Sequence, residues 1–217
     1  MLQHREQEVF HALAELRGQA FVLIGGYAVN AYTLPRFSVD CDLVVRDRAQ
    51  ASAIRRQLGI AYRETASGGF LRLERSLSPD VSVSIDILIG EVHDRLSGAR
   101  FTAEWLFGRS APRVLHGKTF PRRLWLRIAD PEALVAMKWA SMRSADVRDV
   151  FMLAPLVDSE WVRREVGTRI ELAKWSALLW KNVSARQFRD NLQGVFGAVD
   201  ERLFRKHLEA VRHLCEG

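Results

Sequence analysis

Asp40 and Asp42 stand two residues apart at the head of the apolar run Leu43-Val44-Val45. Residues two apart in a strand project from one face, so both carboxylates point to one side and Cys41 to the other. Two like charges this close are unfavourable unless a cation compensates them, and hard divalent ions such as Mg²⁺ take oxygen ligands of this kind. An Asp-x-Asp arises by chance in many chains and usually lies in an exposed loop; the apolar run that follows argues for a strand here. A third carboxylate, Asp86, falls within Val81-Ser-Val-Ser-Ile-Asp-Ile-Leu-Ile89, where residues 81, 83, 85, 87 and 89 share an apolar face and Ser82, Ser84, Asp86 and Leu88 the other. Alone, Asp86 fits the polar face of a half-exposed sheet. On a strand beside Asp40 and Asp42 it completes a three-carboxylate metal site.

Upstream, Phe21-Val-Leu-Ile-Gly25-Gly26 reads as a strand running into two glycines that open a helix, a form suited to presenting backbone N–H groups and a helix N-terminus to phosphate, or equally a tight turn. Thirteen residues separate Gly26 from Asp40. Arg36, four residues before Asp40, either reaches phosphate or lies on the surface after Pro35. Lys138 sits among the apolar helix neighbours Leu134, Val135 and Met137, as a functional cation or as a lysine that snorkels to water. Asp146 and Asp149 share a helix face with Arg143 at i, i+3 spacing, for which an intrahelical salt bridge is the default.

The elements that must position these groups follow from periodicity. A helix spans roughly 3–17, with Val9, Leu13 and Leu16 on one face and Gly18 as its stop. Strand 20–24, a helix over about 27–34, strand 39–45, helix 48–58 and strands 62–65, 70–75 and 81–89 follow. This order predicts a mixed sheet flanked by helices. Near residue 130 the pattern changes, and nearly everything beyond it reads as helix. Asp130-Pro131-Glu132 starts one such helix, and Ser184 with Gln187 forms a capping box for another. Trp161, Val166, Ile170, Ala173 and Ala177 recur at helical spacing. Trp139, Trp161, Trp175 and Trp180 read as packing anchors rather than a base-stacking platform.

With 217 residues, 48% of them apolar, the chain can bury a substantial core as one large domain or two small ones. The polar N-terminus has no apolar segment after it and no run approaches the roughly 20 residues of a membrane span, so a cytoplasmic protein without membrane contact is expected. Cys41 and Cys215 show no metal or redox spacing and are expected to be free thiols. The net charge of +6 comes almost wholly from arginines, in clusters such as Arg55-Arg56, Arg122-Arg123 and Arg163-Arg164. It favours a polyanionic partner through counterion release, although solvated charged faces produce the same balance.

In order and spacing, Ile24-Gly25-Gly26, Asp40-Cys41-Asp42 and Asp86 resemble the DNA polymerase β-like nucleotidyltransferase superfamily. The fuller pattern Gly25-Gly26-Tyr-Ala…Arg36-Phe-Ser-Val-Asp40-Cys-Asp42-Leu looks like its minimal bacterial and archaeal branch, which contains the AbiEii-type toxins of type IV toxin–antitoxin systems. Ala133-Leu-Val-Ala-Met-Lys138-Trp-Ala and Arg143-Ser-Ala-Asp146-Val-Arg-Asp149 are similar to the helix carrying a lysine, and the later aspartates, of that branch. The resemblance covers roughly residues 20 to 155. It implies an α+β nucleotidyltransferase fold, a mixed β-sheet flanked by helices, as a catalytic domain over 1–129, with a C-terminal helical domain over 130–217.

By that resemblance, Asp40 and Asp42 hold two Mg²⁺ ions (Mn²⁺ as an alternative) about 3.5–4 Å apart. Asp86 ligates the second ion and helps remove a proton, Gly25 and Gly26 cradle the triphosphate of an NTP, and Arg36, Lys138, Asp146 and Asp149 complete nucleotide binding. The implied reaction moves an NMP to an acceptor and releases pyrophosphate. The acceptor would be RNA, tRNA above all, or another macromolecule in a toxin-like role, with an antitoxin as partner. Gly26 departs from the serine found in many superfamily members. Small antibiotic nucleotidyltransferases share the Gly-Gly…Arg…Asp-x-Asp arrangement, so a small-molecule acceptor stays open, as does an inactive nucleotide-binding module. An RNA acceptor predicts a basic surface beside the carboxylates, and a small-molecule acceptor an enclosed acidic or apolar pocket.

Overall fold

A computed structural model describes residues 1–66, 69–197 and 199–216. The chain divides into two compact units, Met1–Val92 with Phe101–Asp130, and His93–Arg100 with Pro131–Gly217. Up to Asp130 the elements run α1 (Leu2–Glu15), β1 (Val22–Ile24), α2 (Gly25–Val29), β2 (Asp40–Val45), α3 (Arg48–Leu58), β3 (Arg63–Ala66), β4 (Phe70–Ser78), β5 (Val81–Ile89), β6 (Glu91–His93), β7 (Arg100–Thr102), α4 (Ala103–Gly108), β8 (Ser110–His116) and β9 (Arg123–Ala129). Among the described residues, seven strands form one mixed sheet in the order β3-β4-β5-β2-β1-β9-β8, and β6 pairs with β7 separately. This is the α+β architecture that the succession of apolar runs predicts.

The register makes one sheet face apolar. β2 lies parallel to β5 with Cys41 opposite Ile85 and Leu43 opposite Ile87. β1 is antiparallel to β2 with Leu23 opposite Leu43, and β9 is parallel to β1 with Leu23 opposite Ile128. Leu23, Cys41, Leu43, Leu73, Ile85, Ile87, Leu124 and Ile128 are all at 0% exposure. α1 and α3 pack on the β2–β5 centre of the sheet, and each aliphatic side chain buried there stabilises the fold by about 1.5–3 kcal/mol.

One helix expectation needs correction in this unit. The helix expected over 27–34 begins at Gly25 and ends at Val29, giving way to isolated turns at Ala31, Tyr32 and Thr33. The β-branched Thr33 and the approach to Pro35, which disfavours helical geometry in the residue before it, end it early. The expected apolar face of α1 is present, with Val9, Leu13 and Leu16 fully buried, but it also carries Glu6, only 1% exposed. Glu6 accepts hydrogen bonds from the backbone N–H groups of Lys118 (2.6 Å), Thr119 (2.8 Å) and Phe120 (2.9 Å) and from the Thr119 hydroxyl (2.8 Å). One carboxylate thereby satisfies three consecutive N–H groups of the β8–β9 turn. Gly117 opens that turn because a Cβ there would lie 2.7 Å from the Phe120 carbonyl oxygen.

The second unit holds α5 (Pro131–Ser141), α6 (Ser144–Leu153), α7 (Ser159–Gly167), α8 (Leu172–Val183), α9 (Arg186–Phe196) and α10 (Glu201–Glu216). α5 begins at Pro131, where the Asp-Pro-Glu signal placed it. The spacing from Trp161 to Ala177 spans a break between α7 and α8, and Ala173 and Ala177 face water. The Ser184–Gln187 capping box does not form: α9 starts at Arg186 behind Ala185 with no side-chain cap, and Gln187 bonds Asn191 instead. Trp139 and Trp175 are core anchors at 0% and 9% exposure, while Trp161 and Trp180 are half-buried. Among the described residues no helix is long and apolar enough to cross a membrane.

Glu6→Ala removes the acceptor of three turn N–H groups in a part-buried site where water can reach Lys118 and Thr119. Denaturant unfolding should show a loss of about 1–3 kcal/mol. A loss within 0.5 kcal/mol, typical of surface substitutions, would refute the anchoring role.

Candidate active site

The register that buries Cys41 and Leu43 turns their neighbours to the opposite face. Asp42 lies directly opposite Asp86, and Asp40 opposite Ser84. Three carboxylates thus share one sheet face, as the two-residue periodicity of both strands predicts. Cys41, on the other side, is fully buried; burial pushes its thiol well above the ordinary value, and Asp42, Asp86 and Asp40 push it further. The buried thiol therefore stays protonated and unreactive at neutral pH.

Two partners of these carboxylates escaped the sequence reading. Arg72 on β4, opposite Asp86 in the antiparallel β4–β5 register, grips it bidentately, Nε to Oδ1 at 2.7 Å and Nη2 to Oδ2 at 2.6 Å. Ser84 Oγ donates to Asp40 Oδ1 at 2.6 Å. Ser84 could have been found from the polar alternation of β5. Arg72 could not, because its meeting with Asp86 depends on how two strands slide into register.

The Gly25-Gly26 segment lies against these groups. Gly25 takes φ +69°, and a Cβ there would come within 2.0 Å of Asp42 Oδ2. Only glycine allows both that backbone conformation and that approach. A Cβ on Gly26 would meet Ser38 Oγ at 2.3 Å and Arg36 Nη2 at 3.0 Å. Arg36 is buried at 6% exposure, which excludes the surface alternative. Asn30 brackets its backbone, donating to the Arg36 carbonyl at 2.8 Å and accepting from its N–H at 3.1 Å. The five-residue α2 is too short to add much of a helix dipole, so the cationic character at Gly26 comes from Arg36.

Among the described residues no three acidic, histidine or cysteine side chains converge as a ready-made metal cage. Asp86 is drawn to Arg72 and Asp40 to Ser84. The all-oxygen donor set on one face, with Asp42 opposite Asp86, nevertheless fits a hard divalent cation, which would take over the compensation that Arg72 gives. A cavity of about 570 Å³ lies at the far ends of β1 and β2, lined by Phe21, Arg46, Glu104, Phe107 and Arg127 among others, and it does not include the carboxylates.

In the helical unit Lys138 is 7% exposed and does not snorkel. Its Nζ lies 2.9 Å from Asp146 Oδ1 and 2.7 Å from Asp149 Oδ2. The aspartates therefore pair with Lys138 on α5 rather than with Arg143, which stands 3.9 Å from Asp94; within α6, Arg148 Nε lies 3.8 Å from Asp149 Oδ1. Burial opposes the lysine's charge, but Asp149 and Asp146 outweigh it, and Lys138 titrates above its ordinary value. Because the folded state holds this proton more tightly, the resulting stability is complete below the ordinary lysine value of about 10.4 and is lost as pH rises through the raised folded value. Lys138→Met should cost about 3–5 kcal/mol by leaving two buried carboxylates unpaired, and should abolish that alkaline loss in pH-dependent melts. Unchanged melting with weakened NTP binding would refute the structural role and favour the expected phosphate contact of Lys138.

No protein-family model matches the sequence, and neither does any curated protein sequence. Solved structures match it in shape. A candidate nucleotidyltransferase from H. pylori superposes with a TM-score of 0.51 at 12% identity, over 99% of this chain and 95% of that one. JHP933 from Helicobacter pylori gives 0.51 at 13%, over 99% and 92%. ANT(2'')-Ia in complex with adenylyl-2''-tobramycin gives 0.53 at 16%, over 76% and 96%. At these identities the likeness is one of fold, and the fold of this chain is that of the nucleotidyltransferases.

Proposed function

We propose that this protein is a metal-dependent nucleotidyltransferase that moves an NMP from an NTP to an RNA acceptor and releases pyrophosphate. The observation that carries the reading is the β2–β5 register, which sets Asp42 opposite Asp86 with Asp40 on the same face, beside a glycine that only a bare backbone can occupy. Three carboxylates so arranged repel one another and call for a cation. Asp40, Asp42 and Asp86 would hold two divalent ions, Mg²⁺ or Mn²⁺, which supply charge neutralisation on the triphosphate and a more acidic acceptor hydroxyl.

The chain's own groups do the rest. Gly25 lets the main chain close on Asp42, leaving no side chain between the backbone and the reacting phosphate. The N–H groups of Gly25 and Gly26 and the Arg36 guanidinium would bind the triphosphate and hold its α-phosphorus in line with the incoming hydroxyl. Asp86, once released from Arg72, can accept the hydroxyl proton. In keeping with the AbiEii-type resemblance, we assign tRNA as the RNA acceptor, a toxin-like role, and an antitoxin as partner. The neighbour crystallised with adenylyl-2''-tobramycin favours a second reading, in which the acceptor is an aminoglycoside hydroxyl.

Incubating the wild-type and Asp42→Ala proteins with Mg²⁺, each labelled NTP, and either total tRNA or tobramycin tests both. Label should enter the RNA and fall by at least about 100-fold in the variant, the scale of losses at metal-supporting residues. Label in tobramycin alone would move the acceptor to a small molecule. Transfer that survives Asp42→Ala would remove the carboxylate mechanism.

A further inference from the structure

The sheet face that carries Asp40, Asp42 and Asp86 continues beyond β1. Because Leu23 pairs with Ile128 in parallel, that face runs on across β9 as Arg127, Trp125 and Arg123, and the β8–β9 register adds Pro112, Val114 and His116 opposite them. Trp125 is 68% exposed although Leu124 and Leu126 on either side are buried. The indole is thus held on a firm strand with its ring face open to solvent, where it can stack on a flat partner.

The hairpin's own charges have one sign. From Ser110 to Ala129 the chain holds Arg113, Lys118, Arg122, Arg123 and Arg127 and no aspartate or glutamate. No ion pair among the described residues neutralises Arg122, Arg123 or Arg127. Arg127 donates to the Ser110 carbonyl at 3.0 Å and hydroxyl at 3.3 Å, which fixes its direction without cancelling its charge. The hairpin is a firm platform, since Glu6 binds its turn and the backbone crowding at Gly117 fixes the turn's path.

We infer that the Arg123–Trp125–Arg127 strip is a docking surface for an unpaired RNA strand, with a base stacked on the Trp125 indole and phosphates against Arg122, Arg123 and Arg127. Alternating aromatic and cationic side chains on an open strand suit splayed bases, whereas a duplex hides its base faces and would contact the arginines alone. By strand spacing and rise, Trp125 lies roughly 16 Å from Asp42, two strands across and four residues along. At about 3.4 Å per stacked nucleotide, roughly five nucleotides span that distance. Val22, Ile24 and Ala129, which lie on this face between the two, are buried, so a strand held on Trp125 reaches the carboxylates only by skirting what covers them and needs more than that straight-line length. This deepens the RNA-acceptor reading and rests on it, but binding can be measured without catalysis.

The test is equilibrium binding of a fluorescein-labelled oligoadenylate RNA of about 12 nucleotides, within the usual range of single-strand site sizes, to full-length Asp42→Ala protein without NTP. Adding Trp125→Ala should weaken binding about 5- to 100-fold with unchanged thermal melting, and Trp125→Phe should restore most of it. Arg123→Gln should reduce the slope of log affinity against log salt by about 0.7. The same RNA annealed to its complement should bind more weakly and without dependence on Trp125. No binding by the parent protein, equal affinity in Trp125→Ala, or equally Trp125-dependent binding of duplex would each overturn the surface. Trp125-dependent RNA binding by a protein that transfers no nucleotide would sink the catalytic reading and leave the surface standing.

Discussion

The parallel register of β2 on β5 is the constraint on which the sheet unit and its candidate site depend. Slipping one strand by a single residue would turn every side chain to the other face, driving Asp40 and Asp42 into the layer where Leu43, Ile85 and Ile87 pack and bringing Cys41 to the surface. The apolar faces of these strands, at 0% exposure for Cys41, Leu43, Ile85 and Ile87, hold the register against that slip. Hydrophobic burial, which is non-directional, thereby imposes a directional result: three carboxylates gathered on one face at a position where their mutual repulsion would otherwise separate them.

The molecule manages its buried charge locally. Arg72 compensates Asp86 through a two-point contact, Ser84 engages Asp40, and Arg36 stands beside Gly26. In the helical unit Lys138 answers Asp146 and Asp149, with Arg148 Nε 3.8 Å from Asp149 Oδ1 as a second positive group. Among the described residues Glu6 has no side-chain cation as a hydrogen-bond partner and is answered by backbone N–H groups and a hydroxyl. The first pattern suits a site whose counter-charge is exchanged during function, because a side-chain cation can be displaced by a bound ion. The Glu6 pattern suits a fixed joint, because main-chain donors cannot move without unfolding the turn.

Much of this was legible beforehand, and the reason differs by element. β5 was found with its bounds intact because strict alternation over nine residues leaves no competing period. α3 was found equally well, with Asp47 capping it from the front and Gly59 closing it behind. α2 was overextended because its end is set by a local conflict near Pro35 rather than by apolar pattern. The Ser184–Gln187 signal failed because a capping box depends on where the helix starts, and packing started α9 one residue later. β8 and β9 were passed over, although Arg123-Leu-Trp125-Leu-Arg127 alternates cleanly; a strand with cations and an indole outward resembles a polar loop when its partner is unknown.

What the sequence determined by itself was the inventory and its faces: two aspartates on one side of a strand, a third in an alternating strand, two glycines after an apolar run, and a lysine in an apolar helix. Each follows from side-chain periodicity, a property of the backbone within one element. What only the tertiary structure decided was adjacency: that Asp42 faces Asp86, that Arg72 rather than another group holds Asp86, that Lys138 belongs to Asp146 and Asp149, and that Trp125 lies on the same sheet face as the carboxylates. Adjacency depends on strand order and register, and these emerge from the joint packing of residues far apart in the chain, where no local period can record them.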